Sequence, residues 1–177
     1  MQIYKGDGVL PDILAPGLDV VFCGSAAGSA SAVAGAYYAG PGNRFWAMLH
    51  ECGLTPRQLA AHEFHTVVQY GIGLTDLSKF QSGADSALDA AGDDTVALAA
   101  KIRRAAPRAL AFNGKRAGGV FLARKITVYG RQPEALGGTA IFVLPSTSGA
   151  ARRWWDAAPW RALAEYLGRA AGYTNER

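Results

Sequence analysis

The chain has few of the residues from which metal sites and disulfide frameworks are built. Its 177 residues include two cysteines and three histidines, too few for a disulfide scaffold. Cys23 lies in an apolar run and Cys52 in a helical pattern. Both read as buried free thiols of a reducing compartment, with a single bridge as the other option. His50, His62 and His65 have no Cys or acidic partner at ligand spacing, so no metal is expected. No run of about 18 apolar residues exists, which excludes a helical membrane span. Met1–Gly8 lacks the apolar core of a signal peptide, and a cytoplasmic protein is expected. Neither a P-loop nor a G-x-G-x-x-G turn occurs, so no cofactor is implied. Charged residues are scarce at 18%, while half of all residues are hydrophobic. That balance excludes a disordered chain.

The length suits one domain, residues 1–177, with a real core. A net charge of +4 fits a polyanionic partner without requiring one, and a monomer is expected. The organising stretch is Asp19–Gly28, DVVFCGSAAG. A short β-branched and aromatic run ended by Gly reads as a buried strand of a parallel sheet. The small residues of Gly24–Ser31 would let a ligand approach bare backbone N–H groups. Such loops lie at the carboxyl ends of strands, where open α/β sheets bind ligands.

In chain order, strands are expected at Asp19–Cys23, within Tyr70–Leu77, at Ala109–Phe112 and at Thr139–Leu144. Met1–Leu18 reads as an irregular lead-in and Gly24–Gly42 as a long loop. Helices are expected at Asn43–Cys52, from Thr55-Pro56 to about His62, from Asp93 or Asp94 to Ala105, at Lys115–Lys125, and at Pro159–Ala171. Val96, Ala99 and Ile102 are expected to share the buried face of the third of these. Ser78–Asp93 reads as a mobile surface loop or a short helix. Strands alternating with helices mean a parallel α/β sheet of about four strands, joined by right-handed crossovers. Three polar or small loops, Gly24–Ser31, Leu74–Asp76 and Ser146–Gly149, would then converge on one sheet edge.

The ordered pieces DILAPGLDVVFCG, GPGNRFW, YGIGLTDL, FNGK and FVLPSTSG resemble the mismatch-specific uracil/thymine DNA glycosylases, from about Leu10 to Arg153. The resemblance implies a three-layer α/β/α domain around a short, mostly parallel four-stranded sheet. It also implies hydrolysis of the base–sugar bond of uracil, or of thymine opposite guanine, in DNA carrying uracil or a mismatch. The chemistry requires the base to be rotated out of the duplex into a pocket. In the family a G-I-N-P-G loop follows the first strand, and its Asn positions the attacking water. Here the loop reads GSAAG, which puts Ala26 at the Asn position and Ala27 at the Pro position.

Alanine cannot hold a water. Asp76, at the end of the second strand, is the nearest substitute: a carboxylate that could orient or deprotonate water and offset positive charge on the sugar. Its other role would be a helix N-cap. Tyr38 falls where the family places an aromatic that stacks on the extruded base, with Tyr37 as its neighbour. Ser31 falls on the same wall, Asn43 either caps its helix or bonds near the base, and the N–H groups of Ser25 and Tyr38 are candidate carbonyl binders. Ser146–Arg153, with Ser146, Thr147, Ser148, Gly149 and Ala150, aligns with the loop that fills the gap in the duplex; Ser146 and Ala150 are small where the family has Asn and a bulky wedge, so wedging is either weaker or falls to Arg152 or Arg153. Lys115, Arg116, Arg152 and Arg153 are candidate phosphate contacts. Two alternatives stay open: a damaged-DNA binder of the same fold that has lost catalysis, and an unrelated nucleotide-binding α/β protein.

Overall fold

A computed structural model describes residues 8–169, without the side chains of 152–154. The expected wedge and phosphate roles of Arg152 and Arg153 therefore lie outside the described side chains. The apolar runs form the strands β1 (Val20–Gly24), β2 (Ile72–Asp76), β3 (Ala109–Asn113) and β5 (Thr139–Leu144). Between the last two lies β4 (Gly130–Leu136), and the sheet order is β2-β1-β3-β5-β4. The first four pair in parallel, whereas β4 runs antiparallel to β5. The sheet is therefore mixed and five-stranded among the described residues, not four-stranded. β4 escapes an apolar-run reading because RQPE is polar and carries Pro133. Proline has no N–H for a ladder and is tolerated at an edge, where β4 sits with its register broken between Arg131 and Ala135. Arg124 braces it through Glu134 at 2.7 Å and Gln132 at 2.9 Å.

Every residue of β1, β2 and β5 is buried. Side chains alternate between the two faces of a strand, so both faces of the sheet are covered. The helices are α1 (Ser29–Ala34), α2 (Phe45–Glu51), α3 (Thr95–Ala105), α4 (Lys115–Phe121) and α5 (Ala158–Tyr166). Several expectations are corrected. The loop Gly24–Gly42 contains α1, and α3 buries Leu98, Ile102 and Ala105 while Val96 is exposed. No helix follows Thr55-Pro56, because the Thr55 hydroxyl donates to the Arg57 carbonyl at 2.8 Å instead of capping. A 3-10 helix, Ala61–Tyr70, comes later, where Glu63 accepts from Ala60 N at 2.9 Å. α4 and α5 end at Phe121 and Tyr166, earlier than expected.

Asp94 caps α3, accepting from Ala97 N at 2.8 Å. The lead-in crosses β2 as an antiparallel bridge, Ile13 to Leu74. A β-carbon on Gly73 would stand 2.8 Å from the Ile13 carbonyl oxygen, so only glycine permits that crossing. The crossing also brings Asp12 under the end of β2.

Candidate active site

Parallel pairing puts the carboxyl ends of the strands side by side. Gly24 pairs with Asp76, and Asn113 with Leu144, the residue before Pro145 and Ser146. A pocket of about 710 Å³ opens at that edge, within the range of ligand sites. Its wall includes Ser25, Ala26, Ser31, Tyr38, Asn43, Asp76 and all of Ser146–Ala151. The three loops expected to converge do so. Residues that sequence reasoning did not assign to the site also line it: Asn113, and the segment 83–86, expected to be part of a mobile surface loop or short helix and running into a short 3-10 helix, Asp85–Ala87. Gly83 N donates to the Ala27 carbonyl at 2.9 Å, which ties that segment to the first loop.

Each wall is fixed by interactions legible in the residue types. The Ser31 hydroxyl accepts from Ala39 N at 3.1 Å and closes the turn below Tyr38. Asn43 Oδ1 accepts from Phe45 N at 3.0 Å in a turn just ahead of α2, whose N-cap is Arg44 with no side-chain cap bond, so the expected capping role of Asn43 is corrected to bracing that turn. Trp46 Nε1 donates to the Tyr37 carbonyl and Trp160 Nε1 to the Pro145 carbonyl, both at 3.1 Å. Thr147 is buried and paired twice with Asn113: Asn113 Nδ2 donates to its hydroxyl at 2.8 Å and its N–H donates to Asn113 Oδ1 at 3.0 Å. Its carbonyl accepts from Arg44 N at 2.9 Å. The Ser146 hydroxyl accepts from Ser148 N at 3.3 Å, leaving Ser148 and Ala150 exposed at the tip. A β-carbon on Gly149 would stand 3.0 Å from the Pro41 carbonyl oxygen, so this loop lies directly on the Gly40–Gly42 rim.

Lys115 does not line the pocket. It starts α4 with its Nζ 4.4 Å from the centre of the Tyr129 ring. Arg116 is paired with Asp93 at 2.8 Å, an intramolecular partner that competes with any phosphate. Among the described residues no group of three or more His, Cys, Asp and Glu could hold a metal, and no helix is long and apolar enough to cross a membrane.

Asp76 is the acid of the pocket floor, 5% exposed. No helix begins there, and its side chain caps no backbone N–H, so the helix-cap role does not apply. Burial pushes its carboxyl up to about 7; Asp12 adds to the rise, and Lys79 and Lys101 oppose it. Beneath it lies a network invisible in the sequence. Asp12 Oδ1 accepts from Lys79 Nζ at 2.7 Å and from the Thr75 hydroxyl at 2.8 Å, while Oδ2 meets Lys101 Nζ at 2.7 Å. Burial pushes Asp12 up, but Lys79, with hydrogen bonds from Lys101, Lys79 and Thr75, outweighs it and holds the carboxyl below its usual range. Lys79 Nζ also donates to the Leu10 carbonyl at 2.6 Å and to the Tyr37 hydroxyl at 3.2 Å.

Tyr38 borders the same floor. Its ring stacks on Phe45 with centres 3.9 Å apart, and Phe45 in turn packs edge-on against Phe22 at 5.2 Å. Its backbone has φ of 53°, a left-handed conformation that costs a non-glycine residue on the order of 1–2 kcal/mol. Among the described residues its hydroxyl is the one buried side-chain polar atom with no hydrogen-bond partner in the protein. Burial pushes the phenol well up, and Asp76 adds to it. The Asn113 amide pulls the other way without reaching hydrogen-bonding geometry.

An α/β domain with a pocket at the carboxyl edge of its sheet and one buried acid on the floor is laid out for acid–base chemistry on an inserted ligand. A family model for the uracil DNA glycosylase superfamily matches residues 11–167, and the chain belongs to that superfamily. Members are DNA glycosylases, hydrolases that act on DNA in base excision repair.

Proposed function

We propose that the protein hydrolyses the N-glycosidic bond of uracil in DNA, including uracil mispaired with guanine, with Asp76 as the general base. The observation that carries this is the position of Asp76: a buried carboxyl with a pKa of about 7 on the floor of the strand-end pocket. A base of that pKa is half ionised at neutral pH and strong enough to accept a proton from water as the bond breaks. Rotating the base out costs a few kcal/mol. Stacking on the Tyr38 ring, backed by Phe45, returns on the order of 1–3 kcal/mol. Ser25 and the small loop around Ala26 allow the pyrimidine close to the backbone. On this reading the Ser146–Ala150 loop, fixed by the Asn113–Thr147 hydrogen bond, would hold the duplex open.

The step balances without a cofactor. The water oxygen forms a bond to C1′ of the sugar, and its proton passes to Asp76. The C1′–N1 bond breaks and its electron pair leaves with the base. Positive charge on the sugar builds up beside the Asp76 carboxylate, where negative charge stabilises it. The test is a labelled duplex with one G·U pair, incubated with the protein and then treated with alkali. Strand breakage at the uracil supports the reading. A gel shift without breakage would establish a damaged-DNA binder, the reading that Ala26 in place of the water-holding Asn favours.

A further inference from the structure

Tyr38 combines a left-handed backbone with a buried hydroxyl that no protein group satisfies. Phenylalanine would keep the stack on Phe45 and remove the unsatisfied oxygen. A hydroxyl retained under those conditions points to a partner outside the protein. Its place is marked by Gly24. A β-carbon built there would stand 2.6 Å from Asp76 Oδ1 and 3.5 Å from Tyr38 Oη. Both oxygens therefore border one spot over the end of β1, on the pocket floor.

We propose that Tyr38 is a second catalytic residue, whose hydroxyl and the Asp76 carboxylate together hold the attacking water over Gly24. This rests on the glycosylase reading and adds to it the group that replaces the family's water-holding Asn. The phenol, kept protonated by burial, donates to the water oxygen. The water donates one hydrogen to Asp76, and its remaining lone pair forms the bond to C1′. The C1′–N1 pair leaves with the base, and the water's proton ends on Asp76. Two fixed partners restrict the water's orientation, which one carboxylate alone does not. Glycine at 24 keeps that spot open, since a methyl group there would stand 2.6 Å from Asp76 Oδ1.

Tyr38→Phe is the direct test, because it preserves the ring and the stack. Single-turnover cleavage of a G·U duplex at pH 8 is expected to fall at least tenfold. Affinity for a duplex carrying a non-hydrolysable 2′-fluoro-deoxyuridine should stay within twofold, and Tm should hold or rise with the orphan hydroxyl gone. Cleavage within twofold of the parent overturns the assignment. So does an equal loss of binding and cleavage, which would make Tyr38 a stacking platform only. Gly24→Ala is the second probe, and cleavage at the parental rate there also overturns the proposal. A parent that cuts while Asp76→Asn is dead and Tyr38→Phe is fully active leaves the glycosylase reading standing and removes only Tyr38. A parent that cuts no uracil duplex removes the glycosylase reading itself.

Discussion

The ionisation of Asp76 should set two pH dependences of opposite consequence. With its carboxyl at about 7, the fraction in the basic form is roughly one tenth at pH 6 and nine tenths at pH 8. Single-turnover cleavage of a G·U duplex should rise about tenfold across that interval and level off above it. Stability should move the other way. In the unfolded chain the carboxyl returns to 3.8, so between roughly pH 4 and pH 7 the folded protein binds the proton that the unfolded chain has lost. The stabilisation from the protonated form is complete below pH 4, drains away up to pH 7 and is constant above. A shift of about three units at 1.36 kcal/mol each makes the total roughly 4 kcal/mol. Asp76→Asn cannot ionise and escapes that loss. The variant should be almost inactive and yet have the higher Tm at pH 8, with the gap closing toward pH 4. Measuring cleavage and thermal melts from pH 4 to 9 on both proteins tests this. A parental rate that is flat from pH 6 to 8, or an Asn variant that melts lower than the parent at pH 8, would refute the reasoning.

Three further outcomes follow from the geometry. Lys79→Met removes the cation that most opposes the rise at Asp76 and strands Asp12 with only Lys101 as an ion-pair partner; the cleavage profile should shift to higher pH and chemical denaturation should show a loss of about 3–5 kcal/mol. Thr147→Val removes the hydroxyl hydrogen bond of the pair shared with Asn113 and should cost about 1–2 kcal/mol of stability by denaturant melts, with duplex cleavage falling more than cleavage of single-stranded uracil DNA. Ala150 offers one methyl at the loop tip, so Ala150→Leu should raise the rate on A·U pairs more than on G·U or single strands; equal rates of the parent on all three substrates would show that extrusion does not limit it.

The strands that carry the pocket were readable because each is a short apolar run buried on both faces, and the polar residue that ends it marks the site edge. Asp76 and the Ser146–Ala150 loop were legible for that reason. β4 was not, since an edge strand needs neither an apolar face nor every N–H, and its polar Arg131–Glu134 run hides it. Asn113 ends β3 in the same way that Asp76 ends β2, and that parallel was the available signal for its place in the pocket. Asp12 and Lys79 had no such signal. They lie in irregular segments far apart in the chain and meet only because the lead-in crosses β2 over Gly73. Tyr38 was legible as an aromatic of the pocket, but its unsatisfied hydroxyl appears only once Gly24, Asp76 and Tyr38 are placed together.

If the Ser146–Ala150 loop meets the duplex as proposed, the pair of hydrogen bonds between Asn113 and Thr147 bears on how lesions are found. The pair fastens that loop to a strand end, and Arg44 and Pro41 brace it from the other side. On that reading a surface held this way would work as a gauge rather than a jaw. Sampling an intact pair then costs the protein no refolding of its own, and the whole expense of each trial falls on the helix being inspected. Sorting damaged from sound positions becomes a property of how readily the DNA yields.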